Sequence, residues 1–270
     1  MNPDLLTWWK NKWLMWKDRP EDFRRFLLDI QDSLGIKNQF VDHAPISLIG
    51  NWNETRNKVF VGSLNPSSKI KKEFHSWESK ERGFDYPDSK RVSLTWEKQL
   101  DFCQNFFLKL IANPENLSIS HYTRIGTFFS YYNNRYPLSK VEKYQLLHDQ
   151  AVFGEIIPYY SPELLLSPGG DESILAEHWN IISSYIRKSG FSTFILSGLT
   201  AYKIFQDKGW IIPVGKAVEV KSRSKTSSLQ IVKIDGFHGI LIPFIRNIPN
   251  EDFPVVVKKL IEARKINEKA

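Results

Sequence analysis

Five short apolar runs, at residues 58–64, 151–157, 191–196, 228–234 and 239–244, alternate with stretches whose apolar residues recur at helical spacing. This alternation constrains the fold most. Short, nearly continuous apolar strands need cover on both faces, and helices between them supply it by packing on either side of a largely parallel sheet. The expected fold class is therefore α/β, a three-layer α/β/α arrangement with a short, mostly parallel sheet. The spacing predicts one helix over 95–111, with Leu100, Phe102, Cys103, Phe106, Phe107 and Leu110 as its stripe. A second runs from a capping box of Ser139 and Glu142 to about His148. A third is capped by Asp171 and ends at Gly190, a short one starts at Thr200, and a closing helix starts near Asn250.

Ahead of the first strand, residues 4–34 read as two helices, with Pro20 placed to start the second and Gly35 to stop it. Trp9, Trp13 and Trp16 fall at i, i+4 and i+7, one helical face suited to packing. The same rings stand beside Lys10, Lys12 and Lys17, and cations next to flat rings also suit phosphates and stacked bases. Both readings stay open at this point. No linker of Pro, Gly and Ser divides the chain, so residues 1–50 are expected as a helical extension packed on an α/β domain of residues 51–270.

Composition narrows the chemistry. Cys103 is the single cysteine, which leaves no intrachain disulfide, Cys-rich zinc site or iron–sulfur cluster, and none of the six histidines falls in an HExxH spacing. No metal and no cofactor is expected. There is no Walker loop and no GxGxxG. The longest near-continuous apolar stretch, 239–245, is broken by Pro243, and the first ten residues lack the apolar core of a secretory signal. A cytoplasmic monomer with no membrane contact and no obligatory protein partner is the expectation. A net charge of +7 with 14% aromatic residues favours a polyanionic partner with stackable rings, and DNA fits both.

Sheets of this kind bind ligands at the C-terminal ends of their strands, which selects 62–67, 155–161, 197–200 and 238–246. At the first of these, Gly62 permits close backbone approach, and Pro66 biases Asn65 away from helical geometry. Asn-Pro is also an ordinary turn dipeptide. Taken in order along the chain, however, the segments resemble the uracil-DNA glycosylase superfamily. Gly62, Leu64, Asn65 and Pro66 look like the G-x-N-P motif of its mismatch-specific, thymine-specific and single-strand-selective branches. Residues 154–162, GEIIPYYSP, look like its T-N-x-x-P strand end, and the run from Thr193, TFILSGLTAYKIF, is similar to its strand, small-residue turn and helix. The resemblance covers about residues 57–260.

That resemblance implies hydrolysis of an N-glycosidic bond after the base is flipped out of the stack. Asn65 would hold the attacking water. Gly62, Pro66, Glu155, Tyr159 and Ser197 would line the base site, with Phe84 and Tyr86 stacking on the base. The family's closing His-Pro-Ser motif is absent, because Ile242 precedes Pro243; His238, four residues earlier, is expected as its replacement, unless His238-Gly239 is simply a hairpin turn. Glu155 stands where the family carries Asn. An ionised carboxylate only accepts hydrogen bonds, which favours an exocyclic amine and hence a cytosine-derived or otherwise modified base, unless Glu155 simply pairs with an arginine or caps the backbone. Residues 67–98 carry eight Lys or Arg against six acids, and 216–233 carry five against Glu219. Lys221, Arg223 and Lys225 in the latter, together with Arg246, are the expected DNA contacts, with a solvated hairpin as the plain alternative. A DNA glycosylase of repair or anti-phage defence is the leading expectation. A catalytically inactive nucleic-acid-binding relative and a small-nucleotide-processing α/β enzyme are the alternatives.

Overall fold

A computed structural model describes residues 3–33, 43–63, 93–113, 120–159, 173–198, 202–222 and 225–270. Seven strands form one sheet: β1 (Leu48–Ile49), β2 (Val59–Ser63), β3 (Ala151–Glu155), β4 (Thr193–Ser197), β5 (Ile212–Ser222), β6 (Lys225–Ile234) and β7 (Phe237–Ile242). Their order is β1-β3-β2-β4-β7-β6-β5. The centre, β3-β2-β4-β7, is parallel, whereas β1 joins β3, β6 joins β7 and β5 joins β6 in antiparallel sense. The fold is mixed α/β. The expected mostly parallel sheet is corrected to one in which three of six pairings are parallel.

The parallel strands are the apolar runs foreseen from the sequence. Val59 to Gly62, Ala151 to Gly154 and all of β4 are buried, as required of strands covered on both faces. The helices are α1 (Pro3–Asp18), α2 (Pro20–Ser33), α3 (Trp96–Gln104), α4 (Phe106–Ala112), α5 (Ser120–Tyr132), α6 (Lys140–Gln150), α7 (Ser173–Lys188), α8 (Lys203–Asp207) and α9 (Phe253–Asn267). On one face Phe107 of α4 and Tyr122 of α5 meet Phe153, with ring centroids 5.4 and 5.2 Å away. On the other, Tyr185 of α7 meets Phe60 at 6.2 Å. The capping box at Ser139 is present as expected, with Ser139 Oγ accepting from the Glu142 amide and the Glu142 carboxylate accepting from the Ser139 amide. The helix expected over 95–111 is two helices broken at Asn105.

The tryptophan stripe of α1 is core. Trp9, Trp13 and Trp16 are at most 2% exposed, and the Trp9 indole donates to the Pro45 carbonyl at 2.8 Å while its ring packs edge-on to Trp52 and Trp96. Burying such rings outweighs any gain from holding them out for a ligand. β1 lies at residues 48–49, so the sheet itself begins within the stretch assigned to the helical extension.

β6 turns into β7 through Asp235 and Gly236, both with positive φ, at 47° and 87°. This is the Asp-Gly two-residue hairpin that matches strand twist. The hairpin turn considered at His238-Gly239 is therefore corrected to Asp235-Gly236, three residues earlier. β5 was not foreseen from its pattern. It is an edge strand interrupted between Val214 and Val218, where three residues, including the exposed Lys216, oppose Gln230 alone.

Candidate functional site

The registers bring the resembling segments together. Ser63 pairs with Glu155 across β2 and β3, Gly62 pairs with Leu196 across β2 and β4, and Ser197 pairs with Ile242 across β4 and β7. One end of the parallel sheet thus carries Gly62, Glu155, Ser197 and, just past β7, Arg246.

Glu155 is the informative group. Its amide donates to the Ser47 carbonyl at 2.9 Å, which fixes the backbone, while its carboxyl Oε2 is buried and has no hydrogen-bond partner. Some of the residue's surface remains exposed. With no cation among the described residues to compensate, desolvation pushes its pKa from 4.5 up to about 8. At neutral pH the carboxyl is therefore protonated and able both to donate and to accept. The inference from an ionised, accept-only carboxylate to an exocyclic amine loses its premise. Burial first, and nearness to Glu155 second, push the Tyr202 hydroxyl, just ahead of α8, up from its ordinary pKa, and among the described residues it likewise has no hydrogen-bond partner.

Three expected base contacts are committed elsewhere. A Cβ on Gly62 would lie 2.8 Å from Leu196 Cδ2 and 3.4 Å from the Tyr202 hydroxyl, so the space freed by this glycine is filled by the protein's own core. Ser197 is 3% exposed, and its hydroxyl accepts from the Ile245 amide at 3.3 Å, holding the exit of β7. Tyr159 is 1% exposed and turns its ring onto Phe23, Phe26 and His178, at 6.0, 5.6 and 5.8 Å, closing the seam with α2 rather than facing the strand ends.

His238 is corrected outright. It is the second residue of β7 and stands level with Thr193, whose hydroxyl donates to its carbonyl at 3.0 Å, and Thr193 in turn pairs with Val59. It therefore sits at the opposite end of the strands from Glu155, offset by about 13 Å along the strand direction at about 3.3 Å per residue and three strands across the sheet. Its amide donates to Asn267 Oδ1 at 2.8 Å, which docks the last turn of α9. The role expected of His238 at the strand ends is sterically ruled out by this register.

A histidine that the motifs did not single out is at the right end. His121, in the first turn of α5, abuts Tyr122, whose ring lies on Phe153 two residues before Glu155. Burial and the nearby Arg246 cation push its pKa down to about 4, so its imidazole is neutral at physiological pH. Arg124, one turn on, donates to Asn250 and to the Ile248 carbonyl, tying α5 to the segment after β7. Arg246 is exposed, with its guanidinium 5.5 Å from the Phe244 ring. Phe244 itself crowds Gly198, whose φ of 118° and 3.0 Å clearance to that ring exclude a side chain. Only the three-dimensional packing of α5 against the β7 exit reveals His121, because no motif in the sequence marks it.

Lys221 and Lys225 are exposed at the end of the β5–β6 ribbon, on the same side of the sheet's C-terminal end as Arg246. The Lys221 amide donates to the Asp252 carboxylate at the start of α9. Asn65, Pro66, Phe84, Tyr86 and Arg223 lie outside the described residues. A groove of about 500 Å³ between α5 and α9, lined by Tyr131, Val257, Lys258 and Ile261, is ten residues along α5 from His121 and so about 15 Å from the strand ends.

Comparison with protein-family models, with curated proteins and with solved structures finds no match. Among the described residues, no cluster of three or more His, Cys, Asp or Glu is arranged to hold a metal ion, and no helix is long and apolar enough to cross a membrane.

Proposed function

We propose that the chain is a DNA glycosylase of uracil-DNA glycosylase-like fold, which flips a modified or mismatched base from DNA and hydrolyses its N-glycosidic bond to leave an abasic site. The observation that carries this reading is the convergence of the three resembling segments: the ends of β2, β3 and β4 stand side by side through Ser63, Glu155 and Leu196. A flipped base needs a dry pocket with a few aimed polar groups. Glu155, partly sealed and with no cation against it among the described residues, supplies one such group, and its protonated carboxyl can both donate to and accept from a base edge. In this mechanism Asn65 orients water toward the sugar carbon, and the neutral His121 imidazole and the neighbouring Arg246 are the groups assigned to meet the negative charge that develops on the departing base. An amide orients water without being a strong base, so turnover is slow. Repair and defence against modified phage DNA both fit such an activity.

The test is incubation with oligonucleotides carrying a panel of natural and modified bases, followed by alkaline cleavage at abasic sites and mass spectrometry of released bases. Base release abolished by Asn65→Ala is the expected result; release unaffected by that change, or no release from any substrate, rejects the catalytic reading. The position of His238 far from the strand ends favours one second reading, a nucleic-acid-binding relative without catalysis. Tight, base-selective DNA binding with no abasic product distinguishes it.

A further inference from the structure

β5 and β6 reach past the rest of the sheet. Gln230 pairs with Leu241, so Leu229 is level with Ile242, the last residue of β7, and Lys225 lies four residues further on. At about 3.3 Å per residue the ribbon extends about 13 Å beyond the strand ends, on the side where Glu155 and Arg246 lie. Strand alternation then assigns its faces. Val220 and Leu229 are buried against the body, so Lys221, the next residue, points to the opposite face. Lys225 pairs with Ser222 and shares the face of Val220 beyond the point where cover ends. The outer ribbon therefore carries one exposed lysine on each face, with Ser222 paired to Lys225, Thr226 paired to Lys221, and no acidic residue beyond Glu219.

A surface with lysines on both faces does not suit a flat partner, because only one face could meet it. It suits a cleft with anionic walls on both sides. Two strands about 4.8 Å apart, with their side chains, fit a groove about 12 Å wide but not one about 6 Å wide. Resting on the DNA reading above, we propose that the β5–β6 ribbon enters the major groove of duplex DNA, with Lys221 and Lys225 on the phosphates of its two walls. Contacts of this kind position the duplex and add salt-dependent affinity without reading sequence. The Lys221 amide bond to Asp252 keeps the ribbon in a fixed pose relative to α9 and so to the strand ends.

The experiment uses the full chain and an unmodified 20-base-pair duplex. Dimethyl sulfate methylates guanine N7 in the major groove and adenine N3 in the minor groove, so protection reports which groove is filled. Because these contacts do not select a sequence, partial protection of guanine N7 spread along the duplex is expected, together with its loss in the Lys221→Gln/Lys225→Gln double variant. The slope of log affinity against log salt should fall by about two in that variant. Lys269→Gln, at the far end of α9, serves as the control and should change neither. Protection confined to adenine N3, a footprint unaltered by the double variant, or tighter binding of the single strand overturns the proposal. Base release with any of these patterns leaves the glycosylase reading standing, whereas major-groove protection without base release removes only the catalytic reading.

Discussion

Replacing Glu155 by Gln removes an ionisable proton from a buried position while keeping nearly the same shape. In the folded chain, desolvation raises the carboxyl from 4.5 to about 8. A folded pKa above the unfolded one means that the native state binds the proton more tightly. Stability from this group is thus full below pH 4.5 and is lost as pH rises toward 8. At about 1.4 kcal/mol per tenfold difference in proton affinity, the whole span is worth about 5 kcal/mol, and the loss by pH 7 is about 3 kcal/mol. The residue keeps some exposed surface, which screens the charged form and brings the expected loss to about 2 kcal/mol. Glu155→Gln should therefore be more stable than the parent at pH 7 by about that amount, or by about 4–8 °C in Tm. The two should converge below pH 4.5. Thermal unfolding of both proteins from pH 4 to 9, followed by circular dichroism, checks this. Parallel curves, or a variant less stable than the parent at pH 7.5, would mean that Glu155 is ionised and paired, and would refute the reasoning.

Trp9→Ala should cost about 3–5 kcal/mol in urea unfolding, because it empties a fully buried site and removes the shorter of the two hydrogen bonds to the Pro45 carbonyl, leaving the longer one from Gln99. Similar cooperativity in parent and variant would show that α1 unfolds with the sheet rather than before it. Gly239→Ala places a Cβ 2.4 Å from the Phe194 carbonyl oxygen, a backbone atom that cannot step aside. β4 and β7 must separate at that point, and destabilisation of at least about 2 kcal/mol is expected in the same assay; a neutral effect would contradict the close pairing of these strands.

The parts of the fold legible in the sequence are those whose signal is local. β2, β3 and β4 are continuous apolar runs, the Ser139–Glu142 capping box starts α6, and Pro20 starts α2. β5 was illegible because most of its residues are exposed and its bulge breaks the alternation that marks a strand. The Asp235-Gly236 turn was legible, since the dipeptide is the strongest short hairpin signal, and reading it first would have placed His238 at the start of β7. The protonation of Glu155 was not legible, because it depends on which groups surround the carboxyl in space. His121 was hidden for the same reason: α5 brings it to the β7 exit from a distant stretch of chain.

The two margins of the sheet bear on how the protein behaves when concentrated. β1 offers only Leu48 and Ile49, too little rail for another chain to zip onto. At the other margin, Pro213 lacks a donor, and the bulge around Lys216 throws the hydrogen-bonding groups out of step with any incoming strand. An eleven-residue border strand would ordinarily invite fibrous stacking of copies. Here a proline, a kink and a lysine deny it a continuous template, so crowding should not drive these molecules together border to border.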